Sequence, residues 1–99
     1  MKGPRAFDMT VTDESMYNPE EPRSFASGDY IYVDPDAGIS HESIILVKLD
    51  NGNLAFRQLV VEPDGKAMFK AINPAWQEAP FEAQRETEIG GVVIGKTLP

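Results

Sequence analysis

The 99-residue sequence contains no cysteine, only one histidine and one tryptophan, and comparatively few positive charges. Without cysteine, disulfides and thiolate metal sites are excluded, which suits a reducing cytoplasm. No apolar run approaches the ~18 residues that a membrane span requires, and no signal-peptide segment follows Met1. Nine Lys and Arg against 16 Asp and Glu leave a net charge of −7. An acidic domain repels nucleic-acid phosphates, so direct DNA binding by this chain is not expected.

The acidic side chains show no metal-binding pattern. Their spacing matches no calcium loop, and they fall in turn-forming stretches, where Asp and Asn are favoured for backbone reasons. The residues concerned are Asp34, Asp36, Asp50, Asp64 and the pair Glu20-Glu21. The sequence therefore predicts no metal and no cofactor.

Short apolar and β-branched runs, separated by turn residues, predict a mainly β fold of antiparallel strands and hairpins. The predicted strands cover residues 6–11, 30–33, 43–49, 54–61, 67–72 and 88–97. Residues 43–49 are apolar on both faces, which predicts a central strand. Residues 77–87 are polar and are expected to be irregular.

Glycine pairs and turn residues indicate how the strands are connected. Asn51-Gly52 predicts a type I′ hairpin turn, because both central residues of that turn need positive φ. Gly90-Gly91 indicates a β-bulge in the last strand. Residues 1–5 resemble a tag or linker remnant, and residues 6–99 are long enough to fold as a single domain.

Six short motifs occur in a fixed order along the chain. They are Glu14-Ser15-Met16, the strand Gly28–Asp34, the strand Ser43–Val47, the segment Phe56–Leu59, Asn73-Pro74 and the final strand Ile89–Gly95. Together they resemble the C-terminal domain of LexA and lambda-type repressors, the UmuD-like Ser–Lys peptidases. The resemblance extends from about Phe7 to Lys96 and implies a compact fold of that type in a bacterial cytoplasm.

The resemblance also assigns a catalytic dyad, from which this sequence departs. The family's serine nucleophile corresponds to Ser15, and the lysine that acts as its general base corresponds to Arg57. Smaller departures are Glu14 in place of an aspartate, a longer loop over residues 17–27, and His41-Glu42 in place of a turn glycine.

Arginine is a poor substitute for a lysine base. A base must be neutral, and burial can lower the ordinary lysine pKa of about 10.4 by ~3 units, at a cost of about 4 kcal/mol. Arginine begins at ~12.5–13.8, so the same neutralisation would cost roughly 7–9 kcal/mol. This is comparable with the whole stability of a small domain, ~5–15 kcal/mol. Arg57 is therefore expected to stay charged and to leave Ser15 as a vestigial nucleophile.

Other residues were weighed for these roles. Lys48 and Lys70 match positions outside the dyad, and His41 lacks the surrounding Gly-x-Ser-x-Gly elbow of a Ser–His enzyme. The charged Arg57 is expected either to pair with Glu14, Asp13 or a carbonyl near Ser15, or to be a simple surface arginine.

Two apolar features have alternative interpretations. In the last strand, Ile89, Val92, Val93 and Ile94 are candidates for a self-association interface, in part because C-terminal segments help to pair domains in the resembling family. An ordinary core strand is the alternative. Trp76 is either a core residue or an exposed contact aromatic.

The sequence as a whole favours the dimerisation or oligomerisation domain of a prophage-type transcriptional repressor. Such a domain would reach DNA only through an N-terminal domain absent from this chain, and its control would pass to an antirepressor protein. The alternative is an active Ser–Lys self-cleaving peptidase domain of a LexA-like repressor or UmuD-like protein. The loss of the lysine favours the domain without enzymatic activity.

Overall fold

The computed structural model describes residues 5–97 and contains seven antiparallel strands in one sheet. In chain order the strands are β1 (Phe7–Thr10), β2 (Tyr30–Asp34), β3 (Ile44–Lys48), β4 (Leu54–Val61), β5 (Ala67–Lys70), β6 (Phe81–Glu82) and β7 (Ile89–Thr97). Their spatial order is β1-β2-β7-β3-β4-β5-β6. The predicted mainly β, antiparallel class is therefore confirmed. Within the described residues, no helix is long and apolar enough to cross a membrane.

Strand β3 lies in the middle of the sheet, between β7 and β4. Its first four residues, 44–47, are all buried, although their side chains alternate between the two faces. Both faces of the sheet must therefore be covered at this point, which is why the sequence is apolar on both faces here. The predicted central position of this strand is confirmed.

The core consists of two hydrophobic clusters. The first contains Val11, Met16, Phe25, Ile31, Val33, Ile44, Leu46, Phe56 and Val93. The second contains Ile45, Val47, Leu59, Phe69 and Val92. Three members of the first cluster lie in the long loop between β1 and β2, so this loop covers the sheet rather than extending into solvent. Ser15 precedes one of them, Met16, and is held against the domain by the same packing.

The β3–β4 hairpin differs from its prediction in turn type. Asn51 is not among the described residues with positive φ, whereas Gly52 has φ of 88°. The Gly52 N–H donates to the Leu49 carbonyl at 2.9 Å, and the Leu49 N–H donates to the Asn53 carbonyl at 2.8 Å. This pattern is a type I turn followed by a left-handed glycine, so the predicted type I′ turn is wrong. The longer loop removes the need for positive φ at Asn51.

The predicted bulge at Gly90-Gly91 is confirmed. The β3–β7 register pairs Leu46 with Gly91 but Val47 with Ile89, which leaves Gly90 as the extra residue. A Cβ on Gly91 would lie 2.9 Å from the Asp34 carbonyl, and its φ of 151° is one that other residues rarely adopt, so glycine is required at this position.

The remaining boundaries differ by a few residues. Strand β5 ends at Lys70 rather than at residue 72, and the segment expected to be irregular contains the two-residue strand β6. This strand pairs Phe81 with Phe69, which extends the sheet and packs the two rings with centroids 5.6 Å apart. Residues 1–4 of the predicted tag or linker lie outside the described residues, so the division at residue 5 stays a prediction.

Candidate functional site

Ser15 lies in the loop after β1 and is 1% exposed. Its loop is tied to the segment after β5 by Asn73, whose backbone N–H donates to the Ser15 carbonyl at 3.0 Å. The Asn73 side-chain amide also donates to the Glu14 carbonyl at 2.7 Å. These long-range bonds fix the position of a serine that would otherwise lie on a mobile loop.

The Ser15 hydroxyl has a charged partner on each side. It donates to Asp13 Oδ1 at 2.6 Å, and the Ser15 N–H donates to the same oxygen at 2.9 Å. Its oxygen accepts a hydrogen bond from Arg57 Nη1 at 3.0 Å. The hydroxyl hydrogen is therefore directed at a carboxylate, and the oxygen lone pair at a cation.

Arg57 occupies the middle of β4, opposite Ile45, and is 2% exposed. Its Nη1 donates to Ser15 and also to the Phe56 carbonyl at 2.7 Å. Its Nε and Nη2 donate to the two carboxylate oxygens of Glu78, each at 2.8 Å. This is the bidentate arrangement that matches the planar guanidinium to a carboxylate. Among the described side chains, no buried polar atom lacks a hydrogen-bond partner.

Glu78 is the carboxylate that balances the charge of Arg57. Its side chain is 27% exposed, so it forms the solvent side of the pair. The hydrogen bond from Arg57 lowers the pKa of Glu78 below its ordinary value, and this effect outweighs the opposing effect of burial. The positive charge of Arg57 and a hydrogen bond from Trp76 also lower the pKa, whereas the charge of Asp13 raises it. The Glu78 side chain is therefore a carboxylate at neutral pH.

Of the expected partners of Arg57, a carbonyl near Ser15 is found, that of Phe56, whereas the two expected carboxylates require correction. The predicted carboxylate partners were Glu14 and Asp13, but Asp13 binds Ser15 and Glu14 offers only its carbonyl, to Asn73. The actual carboxylate is Glu78, 21 residues beyond Arg57 in the chain. The surface-arginine alternative is wrong, because the side chain is buried. No periodic pattern in the segment 77–87 indicated this contact.

The sheet register places neither alternative lysine on the face of the sheet that carries Arg57. Lys70 pairs with Gln58, the neighbour of Arg57, so its side chain leaves the opposite face. Lys48 is paired with Leu54, an odd number of residues from Arg57, which also places it on the opposite face. Its amine lies 3.5 Å from a Glu88 oxygen.

His41 and Trp76 also take definite places. The exposed His41 accepts a hydrogen bond from the Val61 N–H through Nδ1, which is a structural contact. Trp76 is half-buried, with its ring centroid 6.0 Å from the guanidinium carbon of Arg57. The indole ring thus forms part of the wall around the Arg57 guanidinium. Its partial burial is intermediate between the two alternatives from the sequence, a core residue and an exposed contact aromatic.

The four interface candidates of β7 separate into two kinds. Val92 and Val93 are each 8% exposed and belong to the two different core clusters. Ile89 and Ile94 are 44% and 42% exposed. Of the four candidates, only Ile89 and Ile94 are accessible to a partner, and the interface itself stays a prediction.

Two cavities flank the Ser15–Arg57 centre. A small one of about 140 Å³ lies beside Ser15 and is bordered by Asp13, Met9 and Phe56, among others. A larger groove of about 940 Å³ runs between the β3–β4 hairpin and the segment that carries β6; both Glu78 and Glu88 line it. Within residues 5–97, no group of three or more His, Asp or Glu side chains could hold a metal ion.

The centre places a buried serine hydroxyl beside a buried cation on an antiparallel sheet. A guanidinium has five donors and no acceptor, so it cannot take the serine proton. The class that the antiparallel fold and the Ser15–Arg57 contact indicate is a serine-peptidase-like domain.

Comparison with known proteins agrees with this class. The sequence profile of the family described as Peptidase S24-like matches residues 1–94. Since this is nearly the whole chain, the protein belongs to the Peptidase S24-like family. The resemblance to the C-terminal domains of LexA-type repressors is thereby confirmed.

The curated relatives are regulators of mobile elements. The chain is 35% identical over 76 residues to the HTH-type transcriptional regulator for conjugative element SXT of Vibrio cholerae. The same identity relates it to the corresponding regulators for element R391 of Providencia rettgeri and element pMERPH of Shewanella putrefaciens. The match covers 76% of this chain but 35% of each relative. The chain therefore spans about a third of the length of the curated relatives it matches.

Proposed function

We propose that this chain is the self-association domain of a prophage-type transcriptional repressor and that it does not cleave itself. The relatives are regulators of the HTH type, and two-thirds of their length has no counterpart in this chain. In this proposal the protein has a DNA-binding domain in the region that corresponds to those two-thirds of the relatives, and it acts in a bacterial cytoplasm. The charge of −7 supports a domain that does not itself bind DNA.

The observation that carries the loss of self-cleavage is the contact between Arg57 and Ser15. The guanidinium donates a hydrogen bond to the serine oxygen at 3.0 Å, in the position where a neutral amine would have to accept one. A donor at this place has no lone pair with which to accept the serine proton, so it cannot activate the hydroxyl as a general base would. Ser15 is then a buried structural residue rather than a nucleophile.

Self-association gives such a domain a physical role in DNA recognition. Two weakly bound DNA modules that are linked through a dimer gain affinity through effective concentration, with no new contact to DNA. The exposed Ile89 and Ile94 of β7 are the apolar side chains that this proposal assigns to the interface.

Sedimentation of this chain tests the interface. Ile94→Asp is expected to weaken dimerisation by at least about tenfold, because it buries a charge in an apolar contact. Ile39→Asp is the matched control, since Ile39 is 49% exposed but lies in the loop after β2. Equal effects of the two substitutions, or a monomeric unaltered chain, would contradict the proposed interface.

The loss of cleavage is tested by incubating, at alkaline pH, a longer chain that includes the segment preceding this domain. The expected result is an intact chain in both the unaltered protein and the Ser15→Ala variant. Cleavage that Ser15→Ala abolishes would establish the alternative, an active self-cleaving peptidase.

Loss of self-cleavage also requires another route to induction. The proposal assigns this role to an antirepressor protein that binds the domain directly. Affinity purification from an induced lysogen is expected to recover a small specific partner, and recovery of the domain alone would count against this regulation.

A further inference from the structure

The charged groups that face Arg57 come from two different segments of the chain. Glu78, from the segment after β5, contacts Nε and Nη2 at 2.8 Å each. Asp13, from the loop after β1, reaches the same centre through the Ser15 hydroxyl at 2.6 Å. Arg57 therefore contacts one carboxylate directly and reaches a second only through the Ser15 hydroxyl, and it has a half-buried indole ring at its side.

This environment has a consequence for a lysine at the same position. A general base must be neutral, whereas an opposite charge within about 4–6 Å favours the charged form by about 1–3 pKa units. Burial acts in the opposite direction, because it lowers the lysine pKa and so leaves the amine neutral and able to accept a proton. Within this pocket the direct contact with a carboxylate opposes the effect of burial.

We propose that Glu78 is a positioning residue that holds the cation of position 57 in its charged form, so that two residues, not one, keep Ser15 inert. This inference rests on the proposed loss of self-cleavage and adds a second cause to it. Arg57 removes the acceptor, and Glu78 prevents a lysine from supplying one. A single substitution, Arg57→Lys, would then leave Ser15 unreactive near neutral pH, and Arg57→Lys/Glu78→Gln would release the amine.

A fluorophosphonate probe reports the reactivity of Ser15 in this chain without any peptide substrate. In the reaction the serine oxygen forms a bond to phosphorus, the phosphorus–fluorine bond breaks, and fluoride leaves. In the unaltered chain the hydroxyl hydrogen is donated to Asp13. In the variant reaction the hydroxyl turns to donate to the neutral amine introduced at position 57, which takes the proton. The labelling rate as a function of pH therefore follows the fraction of that amine that is neutral.

The expected result is a shift of the labelling profile. The pH midpoint of Arg57→Lys/Glu78→Gln should lie about 1–3 units below that of Arg57→Lys, equivalent to a ~10- to 1,000-fold faster reaction at pH values below both midpoints. The carbon-13 shift of the lysine ε-carbon, followed by NMR, gives the same amine pKa without relying on access of the probe. Coinciding amine titrations in the two variants would overturn the inference.

Matched controls separate the contact from the general field of the groove. Glu88 lines the same groove as Glu78 but pairs with the exposed Lys48, so Arg57→Lys/Glu88→Gln should titrate like Arg57→Lys. An equal shift with Glu88→Gln would also overturn the assignment of Glu78. Adding Ser15→Ala to the double variant should abolish labelling, and near-UV circular dichroism verifies that each variant keeps its packed core.

The two proposals can fail separately. Labelling of Ser15 in the unaltered chain would contradict the proposed loss of activity, whatever the lysine variants do. Full labelling of Arg57→Lys at neutral pH, with no further change on Glu78→Gln, would contradict the inference alone. In that case Arg57 by itself would account for the inert serine.

Discussion

Two ion pairs at the groove beside the β3–β4 hairpin join the same kinds of charge in different surroundings. Arg57 and Glu78 meet through two bonds of 2.8 Å, with side chains 2% and 27% exposed. Lys48 and Glu88 meet at 3.5 Å, with side chains 47% and 70% exposed. The first pair fixes a buried cation beside Ser15, whereas the second joins two solvated side chains.

The difference shows that the burial of an ion pair, more than its presence, determines how much the pair contributes to the stability of the fold. An exposed pair gains little because water screens it and two long side chains lose freedom. Water does not reach a buried cation to solvate it, so removing its partner leaves an uncompensated charge inside the domain. The Arg57 pair is therefore expected to be structurally required, and the Lys48 pair to be dispensable.

Removing the carboxylate of each pair is expected to give the largest difference in stability between the two pairs. Glu78→Ala should lower the free energy of unfolding by about 3 kcal/mol, because Arg57 would keep its charge with only Ser15 and the Phe56 carbonyl as partners. Glu88→Ala should lower it by about 1 kcal/mol or less. Urea denaturation of both variants measures the contrast. Similar losses would mean that Arg57 can be rehydrated in the folded state.

Removing the buried cation is expected to have a smaller effect. Arg57→Met leaves the Phe56 carbonyl without one donor, a loss of about 2 kcal/mol, while Glu78 can turn partly to water. For a domain of this size, each kcal/mol lowers the melting temperature by about 4–8 °C. Lys48→Met is the exposed counterpart and should change it little. An unchanged melting temperature in Arg57→Met would show that the pair does not stabilise the fold.

The strands around these pairs could be predicted from the sequence, because their pattern is local. The apolar and β-branched runs in residues 43–49 and 54–61, separated by the Asn51-Gly52 turn, indicate two adjacent strands, and the hairpin between them brings Arg57 opposite Ile45. The turn type was predicted less well. The Asn-Gly pair permits several hairpin loops, and the bonds of Leu49 select the longer one.

The candidate site could be predicted only in part. Ser15 and Arg57 followed from the resemblance, since both belong to short ordered motifs. Glu78 did not, because it lies in a polar segment without periodicity and meets Arg57 only through the path of the chain after β5. A buried arginine requires a carboxylate partner, but the sequence does not indicate which Asp or Glu that partner is. Long-range pairing of this kind is decided by tertiary packing.

The pH dependence of stability separates the two pairs once more, with the smallest expected effect. Since Arg57 lowers the pKa of Glu78 in the folded protein, Glu78 contributes stability that is fully present above its unfolded pKa, ordinarily about 4.5. This contribution is lost as pH falls through the lower folded pKa, by at most about 1.4 kcal/mol for each unit of lowering. The stability gap between the unaltered chain and Glu78→Gln should therefore narrow on acidification below that value.

For Glu88→Gln the gap should stay small throughout, because the exposed pair contributes little at any pH. Urea titrations at a series of pH values measure both gaps, and a gap for Glu78→Gln that does not change with pH would contradict an ionised contact with Arg57.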